Sequence, residues 1–389
     1  MTSSPPVSGS VRDCKPPRAA YIHVPFCAHR CGYCDFTLIA GRDDLVGDYL
    51  RSLEREIVNA KIPHGTPLKT IFFGGGTPTH PTPDEMKKLF QVTCQQFQFS
   101  SSTEFSVEAN PLDLTDEKIE LMADAGVNRV SLGVQSFSRQ ALKLLERDHS
   151  PEDISDVMNR LSRRFKNVSI DLIFGIPDQT MADWRDTLRR SIDLGPSHVS
   201  TYGLTFEKGT AFWARRERGN LVRVDEELER DQYAFAMEEL AAAGFEQYEI
   251  SNFARLGYQC RHNHVYWNGD EYWAFGPGAA RYLKGRRETN IRSVLGWLGR
   301  LERDESPVAD SEELDVQHRA RELVYLGLRR NAGVSREAFR ERSGFELDDL
   351  YGRVIRKQTN LGLLDDDGSR ICLTFEGRFV ADRVVMEFL

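Results

Sequence analysis

Long apolar runs are missing from this 389-residue chain: none approaches the roughly 18–20 residues needed to span a bilayer. Basic charge is not in excess either, with 51 Lys and Arg against 59 Asp and Glu and a net charge of −8. Arg and Lys alternate with acids as on a solvated surface, so the electrostatic footprint of a nucleic-acid binder is absent. Cysteine is scarce and odd in number, with seven residues of which three share one motif, which excludes a disulfide framework. Cys14, Cys94 and Cys372 read as incidental, and a reducing cytoplasm is the expected setting because exposed ligand thiolates oxidise easily. Residues 1–18 lack both the apolar heart of a secretion signal and the Arg-rich helical pattern of a transit peptide, and are expected to form a flexible leader. What remains, 40% hydrophobic and 28% charged, is ordinary for a globular protein of one large domain and one or two smaller ones.

From residue 19 to about 204 short β-branched runs alternate with longer amphipathic stretches. Strands are expected at 20–24, 70–73, 104–108, 129–133, 169–174 and 198–202, with helices at 44–59, 83–95, 115–125, 138–146 with 151–163, and 181–193. Strand–helix units repeating at this spacing make an α/β fold with a parallel sheet and helices outside it. Six units are too few for a closed eight-stranded barrel, so a partial (β/α)6 barrel is expected over 19–204. Residues 205–300 are richer in aromatics and less regular. Residues 311–389 return to helical patterns and end in a hairpin near 364–373, turned by Asp365-Asp366-Asp367-Gly368.

Cys27, Cys31 and Cys34 lie just past the first expected strand, in Tyr-Ile-His-Val-Pro-Phe-Cys-Ala-His-Arg-Cys-Gly-Tyr-Cys. Three thiolates so close can grip three corners of a four-iron cluster and leave the fourth iron to a small chelating molecule, whereas electron-carrying clusters normally have four Cys ligands. The alternative is a zinc site with His29 or His23 as fourth ligand. Gly74-Gly75-Gly76-Thr77-Pro78 follows the second strand and would let backbone approach a ligand closely. No Gly-Lys-Ser/Thr follows it, so it is not a phosphate loop.

With these two segments together, the chain resembles the radical S-adenosylmethionine superfamily, in the branch of oxygen-independent coproporphyrinogen III oxidase and its haem-chaperone relatives, the HemW family, from about Tyr21 to the C-terminus. The resemblance implies an open six-fold β/α barrel and a small C-terminal α+β, winged-helix-like domain of the HemN kind. That domain could equally be a packing lid without chemistry. It implies a [4Fe-4S] cluster on Cys27, Cys31 and Cys34, and S-adenosylmethionine held by Gly75, Gly76, Thr77, Glu108, Gln135, Arg147 and Asp171, with Tyr21 and Tyr33 lining its surroundings. His262-Asn263-x-x-Tyr266-Trp267 matches the signature associated with haem binding in the chaperone family, with Cys260 and His264 as competing axial ligands. Implied partners are haem acceptor proteins of the respiratory chain, with transient membrane contact and a homodimer.

Two departures bear on activity. The oxidase carries a fourth cysteine two positions after the third, where this chain has Phe36, and it has a longer segment ahead of the cluster motif. Both features favour a haem chaperone over decarboxylation of coproporphyrinogen III. A radical enzyme that modifies haem itself remains a further alternative.

Overall fold

The computed structural model describes residues 17–389 apart from 64 and 66; Cys14 and most of the expected leader lie outside the described residues. The main sheet has nine strands. Six follow one another in the first half: β1 (Ala19–Val24), β2 (Thr70–Gly75), β3 (Glu104–Ala109), β4 (Arg129–Gln135), β5 (Asn167–Phe174) and β6 (His198–Gly203). All five pairings among them are parallel and in sequence order. The remaining three come from beyond residue 204. β7 (Glu246–Gln247) and β8 (Asn252–Ala254) add antiparallel at the β6 edge, and β9 (Trp273–Phe275) adds parallel to β1. The order β9-β1-β2-β3-β4-β5-β6-β8-β7 leaves the sheet open.

Residues alternate between the two faces, an alternation broken by an irregularity between Gly133 and Gln135. Ala20, Ile22 and Val24, Ile71 and Phe73, Val130, Leu132 and Val134, and Ile170 and Leu172 join the main hydrophobic core with the surrounding helices. Most of their neighbours on the other face are polar or small: His23, Glu104, Ser106, Glu108, Arg129, Ser131, Gly133 and Asp171, with Tyr21, Phe72 and Ile173 among them. That concave polar lining is where chemistry can be placed.

The helices that cover the convex face begin where their caps say. Thr82 with Glu85, Ser150 with Asp153 and Thr180 with Asp183 form reciprocal capping boxes at the starts of α2 (Pro83–Cys94), α5 (Pro151–Ser162) and α6 (Met181–Asp193). α1 (Val46–Asn59) buries Tyr49, Leu50, Leu53 and Ile57 at helical spacing; α3 is Asp116–Asp124. The helix expected at 138–146 is shorter: α4 (Arg139–Leu144) stops because Glu146 adopts φ 57°, a left-handed turn that swings Arg147 toward the strand ends.

The C-terminal module has its own core of Val324, Leu328, Phe339, Ile355, Leu364, Ile371 and Val384. Helices Val316–Gly327, Arg336–Ser343 and Leu347–Asn360 pack on a three-stranded sheet of Val334–Ser335, Leu364–Asp366 and Arg370–Leu373. The last two strands form the expected hairpin, with Gly368 at φ 82° in its turn. Among the described residues no helix is long and apolar enough to cross a membrane.

Candidate functional site

The loop carrying the cysteines leaves the C-terminal end of β1 and is held at its base by parallel pairing of Phe26–Cys27 with Ile39–Ala40. His23 Nε2 donates to the Thr37 carbonyl at 2.7 Å, and its Nδ1 takes the Tyr21 hydroxyl at 3.0 Å. Burial lowers the His23 pKa to about 4, so the ring is neutral and both nitrogens are engaged. His23 is therefore no fourth ligand for a metal. His29, the other candidate, is exposed and faces Glu146 Oε2 at 3.2 Å. From the far end of the chain Arg292 hydrogen-bonds the Asp35 carbonyl and Thr37 Oγ1, clasping the loop from outside.

Cys27, Cys31 and Cys34 all border one cavity of about 770 Å³ at the C-terminal ends of the strands. Among the described residues no three His, Cys, Asp or Glu side chains converge on one point as a single ion would require. Burial pushes the Cys27 thiol up to about 11, opposed by its 3.2 Å contact with Thr77 Oγ1. Arg147 sits across from the loop, with Nη1 3.8 Å from the Cys31 sulfur and Nη2 donating to the Gly133 carbonyl at 3.1 Å.

The Gly triplet runs beside the loop. Gly75 takes φ 108°, its N–H donates to Glu108 Oε2 at 3.0 Å, and a Cβ there would meet the His23 ring at 2.4 Å. Gly76 N–H and Thr77 N–H donate to the Val24 and Phe26 carbonyls at 2.8 and 2.7 Å. The segment is thus sewn to the base of the cysteine loop by backbone alone.

Of the residues singled out for S-adenosylmethionine, Tyr33, Gly75, Gly76, Thr77, Glu108, Gln135, Arg147 and Asp171 border the cavity. Burial, then the charge of Asp171, raises Glu108 to about 7. Asp171 is also raised by burial, and accepts from Ser200, Ser131 and Ser169 hydroxyls at 2.7, 2.9 and 3.3 Å. Gln135 Oε1 and Arg147 Nε are buried without a partner at this same place. Tyr21 lies deeper, stacked on Phe72 with ring centroids 6.2 Å apart, and does not border the cavity.

His262, Asn263, Tyr266 and Trp267 are elsewhere. They lie on helix Arg261–Trp267, whose first N–H groups are capped by Glu104 at 2.9 and 3.0 Å, at the opposite end of the strands from the cysteines. His262 is buried, with Nδ1 2.8 Å from Thr70 Oγ1 and Nε2 2.8 Å from Tyr266 Oη. Burial lowers its pKa to about 3. Thr70 opens β2 and Gly75 ends it, so the two places are separated by about 16 Å of strand. Trp267 is covered by the Arg329 guanidinium, 5.0 Å from its ring centroid. His264 Nε2 lies 2.9 Å from Gln259 Oε1, and Cys260 is buried against Glu104.

Sequence reasoning missed the outer wall of the cavity. Arg329, Arg378, Phe379 and Arg383 reach it from the C-terminal module, and Ile250 and Ser251 from the turn before β8. No local motif marks them, because their placement depends on the docking of two cores.

Residues 21–190 match the Radical SAM superfamily, and residues 314–380 match the HemN C-terminal domain. The chain is 38% identical over 375 residues to Heme chaperone HemW of Bacillus subtilis (strain 168), covering 96% of this chain and 99% of that one. It is 36% identical over 374 residues to Heme chaperone HemW of Lactococcus lactis subsp. lactis, covering 96% and 97%. Among solved structures, coproporphyrinogen III oxidase (HemN) from Escherichia coli superposes with a TM-score of 0.85 at 23% identity, over 96% of this chain and 90% of that chain. At that identity the likeness concerns the fold.

Proposed function

The chain belongs to the HemW family of the radical SAM superfamily, and from that premise we propose that it binds haem and passes it to acceptor proteins, on a scaffold that holds a [4Fe-4S] cluster and S-adenosylmethionine. The observation that carries the cofactor reading is the shared cavity: three thiols, a backbone cradle at Gly75 and Gly76, and buried unpartnered atoms on Gln135 and Arg147 all meet there. This donor set fits a cubane with one open corner and an amino-acid chelator. Such a pair supplies reductive cleavage of a carbon–sulfur bond and a 5′-deoxyadenosyl radical.

In this reading Cys27, Cys31 and Cys34 hold the cluster. Glu108 and the Gly75–Gly76 backbone receive the amine of S-adenosylmethionine, and Arg147 receives its carboxylate. Gln135, Asp171, Thr77 and Tyr33 bound the rest, with Tyr21 supporting them from below. His262, Asn263, Tyr266 and Trp267 form the haem contact, which requires the His262 ring to exchange the Tyr266 hydroxyl for iron. The working divisions are 1–18, 19–204, 205–300 and 311–389. Acceptors include proteins of the respiratory chain, reached from the cytoplasm by a homodimer in transient contact with the membrane. Phe36, 57% exposed where the oxidase has its fourth cysteine, argues against porphyrinogen decarboxylation.

The test is anaerobic reconstitution with iron, sulfide and haem, followed by mixing with a haem-free acceptor, with and without S-adenosylmethionine. Intact haem should move to the acceptor. Appearance of protoporphyrinogen from coproporphyrinogen, or consumption of haem under turnover, would overturn the chaperone reading.

A further inference from the structure

The outer half of the cavity has a chemistry of its own. Arg378 and Phe379 lie on the short helix Phe375–Phe379, and Arg329 follows helix Val316–Gly327; all three border the cavity beside Ile250 and Leu204. Arg378 Nη1 donates to Gln247 Oε1 at 2.9 Å, and Arg329 Nη1 to Asp382 Oδ1 at 2.9 Å. The Nε atoms of both arginines are buried with no partner. Leaving a buried donor unpaired is costly, and a guanidinium carries its positive charge into whatever site it borders. Of the acids near that wall, Asp382 pairs with Arg329, buried Glu249 feels the charge of Arg329, and Glu229 is paired with Arg223 at 3.0 Å. Both guanidiniums border the cavity and each carries more donors than its one side-chain partner uses, so a carboxylate brought from outside can join Asp382 on Arg329 and displace Gln247 from Arg378. Ile250, Leu204, Phe379 and Val380 give this part of the cavity apolar surface beside the polar Ser251.

We propose that Arg329 and Arg378 form a carboxylate-binding subsite that takes the acidic side chains of a tetrapyrrole, whose ring lies along Phe379, Ile250 and Leu204. This rests on the haem reading above and adds to it a contact for the acidic edge of the ring, apart from His262, whose Nε2 must first give up the Tyr266 hydroxyl to reach iron. Arg329 also covers Trp267, so one guanidinium touches both the cavity and the aromatic segment. A carboxylate drawn to Arg329 would be felt directly at that segment.

The experiment titrates cluster-reconstituted protein with a metal-free porphyrin dicarboxylate and with its dimethyl ester, read by porphyrin fluorescence. Metal-free rings remove any contribution from iron ligation. The wild-type protein should bind the diacid at least tenfold more tightly than the ester. The double variant Arg329→Met, Arg378→Met should lose that preference, and Arg329→Lys, Arg378→Lys should recover part of it, with cluster iron unchanged. Equal binding of diacid and ester by the wild type, or a preference that survives in the double Met variant, overturns the subsite. Haem itself separates the two claims. If the wild type takes up no haem, the haem reading fails; if haem binds the wild type and the double variant equally, the subsite alone fails.

Discussion

Thr70 Oγ1 stands 2.8 Å from His262 Nδ1, fastening the first residue of β2 to a ring 192 positions further along the chain. With Nε2 on Tyr266 and the ring stacked on Phe72 at 5.3 Å, His262 is a structural member of the barrel floor before it can be anything else. His262→Ala should cost about 2–4 kcal/mol in urea denaturation, from the lost contacts and an orphaned Thr70 hydroxyl. It should also alter the haem absorption band while iron and sulfide content stay unchanged. Tyr266→Phe, which releases Nε2, should tighten haem binding severalfold. A haem spectrum indifferent to both substitutions would move the ligand to His264 or Cys260.

Removing one corner of the thiol set should abolish the cluster. Cys31→Ala is expected to give colourless protein after anaerobic reconstitution, checked by iron and sulfide analysis. A brown product with a full complement of iron would show that the three cysteines are not the ligands.

Glu108 is held near neutrality by burial and by the charge of Asp171, at about 7. Its anionic form is the one that would pair with an amine, so S-adenosylmethionine binding should tighten roughly tenfold between pH 6 and pH 8. Glu108→Gln should flatten that dependence while binding weakens. Isothermal titration at three pH values reads both effects.

Glu56 offers a test of stability rather than ligand binding. It accepts from Gly276 N–H at 2.9 Å and Asn290 Nδ2 at 2.6 Å, yet burial raises it from 4.5 to about 7. A raised carboxyl binds its proton more tightly folded than unfolded. Its contribution is therefore complete below about pH 4.5 and is lost as pH rises through 7, a change of about 3 kcal/mol. Urea midpoints should fall between pH 5 and pH 8.5, and Glu56→Gln should remove most of that slope.

Arg292 braces the cysteine loop through Asp35 and Thr37 without touching a thiol. Arg292→Ala should leave global stability within about 1 kcal/mol, since the side chain is exposed. Iron loss to a chelator should nevertheless accelerate severalfold. Equal chelation rates would show that the loop is rigid without this brace.

The parallel core was legible because its signals are local. Period-two alternation in segments such as Arg129–Gln135, with caps such as Thr82 and Thr180, places strands and helices within a residue or two. The hairpin at Leu364–Leu373 was equally plain, since three aspartates and a glycine admit little else. β9 was not legible: three residues, Trp273–Phe275, become a strand only because Ala20–Ile22 offers them a free edge. Glu146 was missed as a helix breaker because nothing in its type demands a left-handed backbone. At the site, the cysteines and the Gly triplet announce themselves by spacing, whereas Arg329 and Arg378 matter through position alone.

β9 sets a schedule for the ribosome. The opening strand emerges first, yet its second neighbour and the brace at Arg292 are synthesised some 250 residues later. At about 5–20 residues per second the cysteine loop waits on the order of ten to fifty seconds for its enclosure. Metal delivery during translation would therefore meet an unfinished container, and nascent chains released after residue 292 should be the earliest able to retain iron.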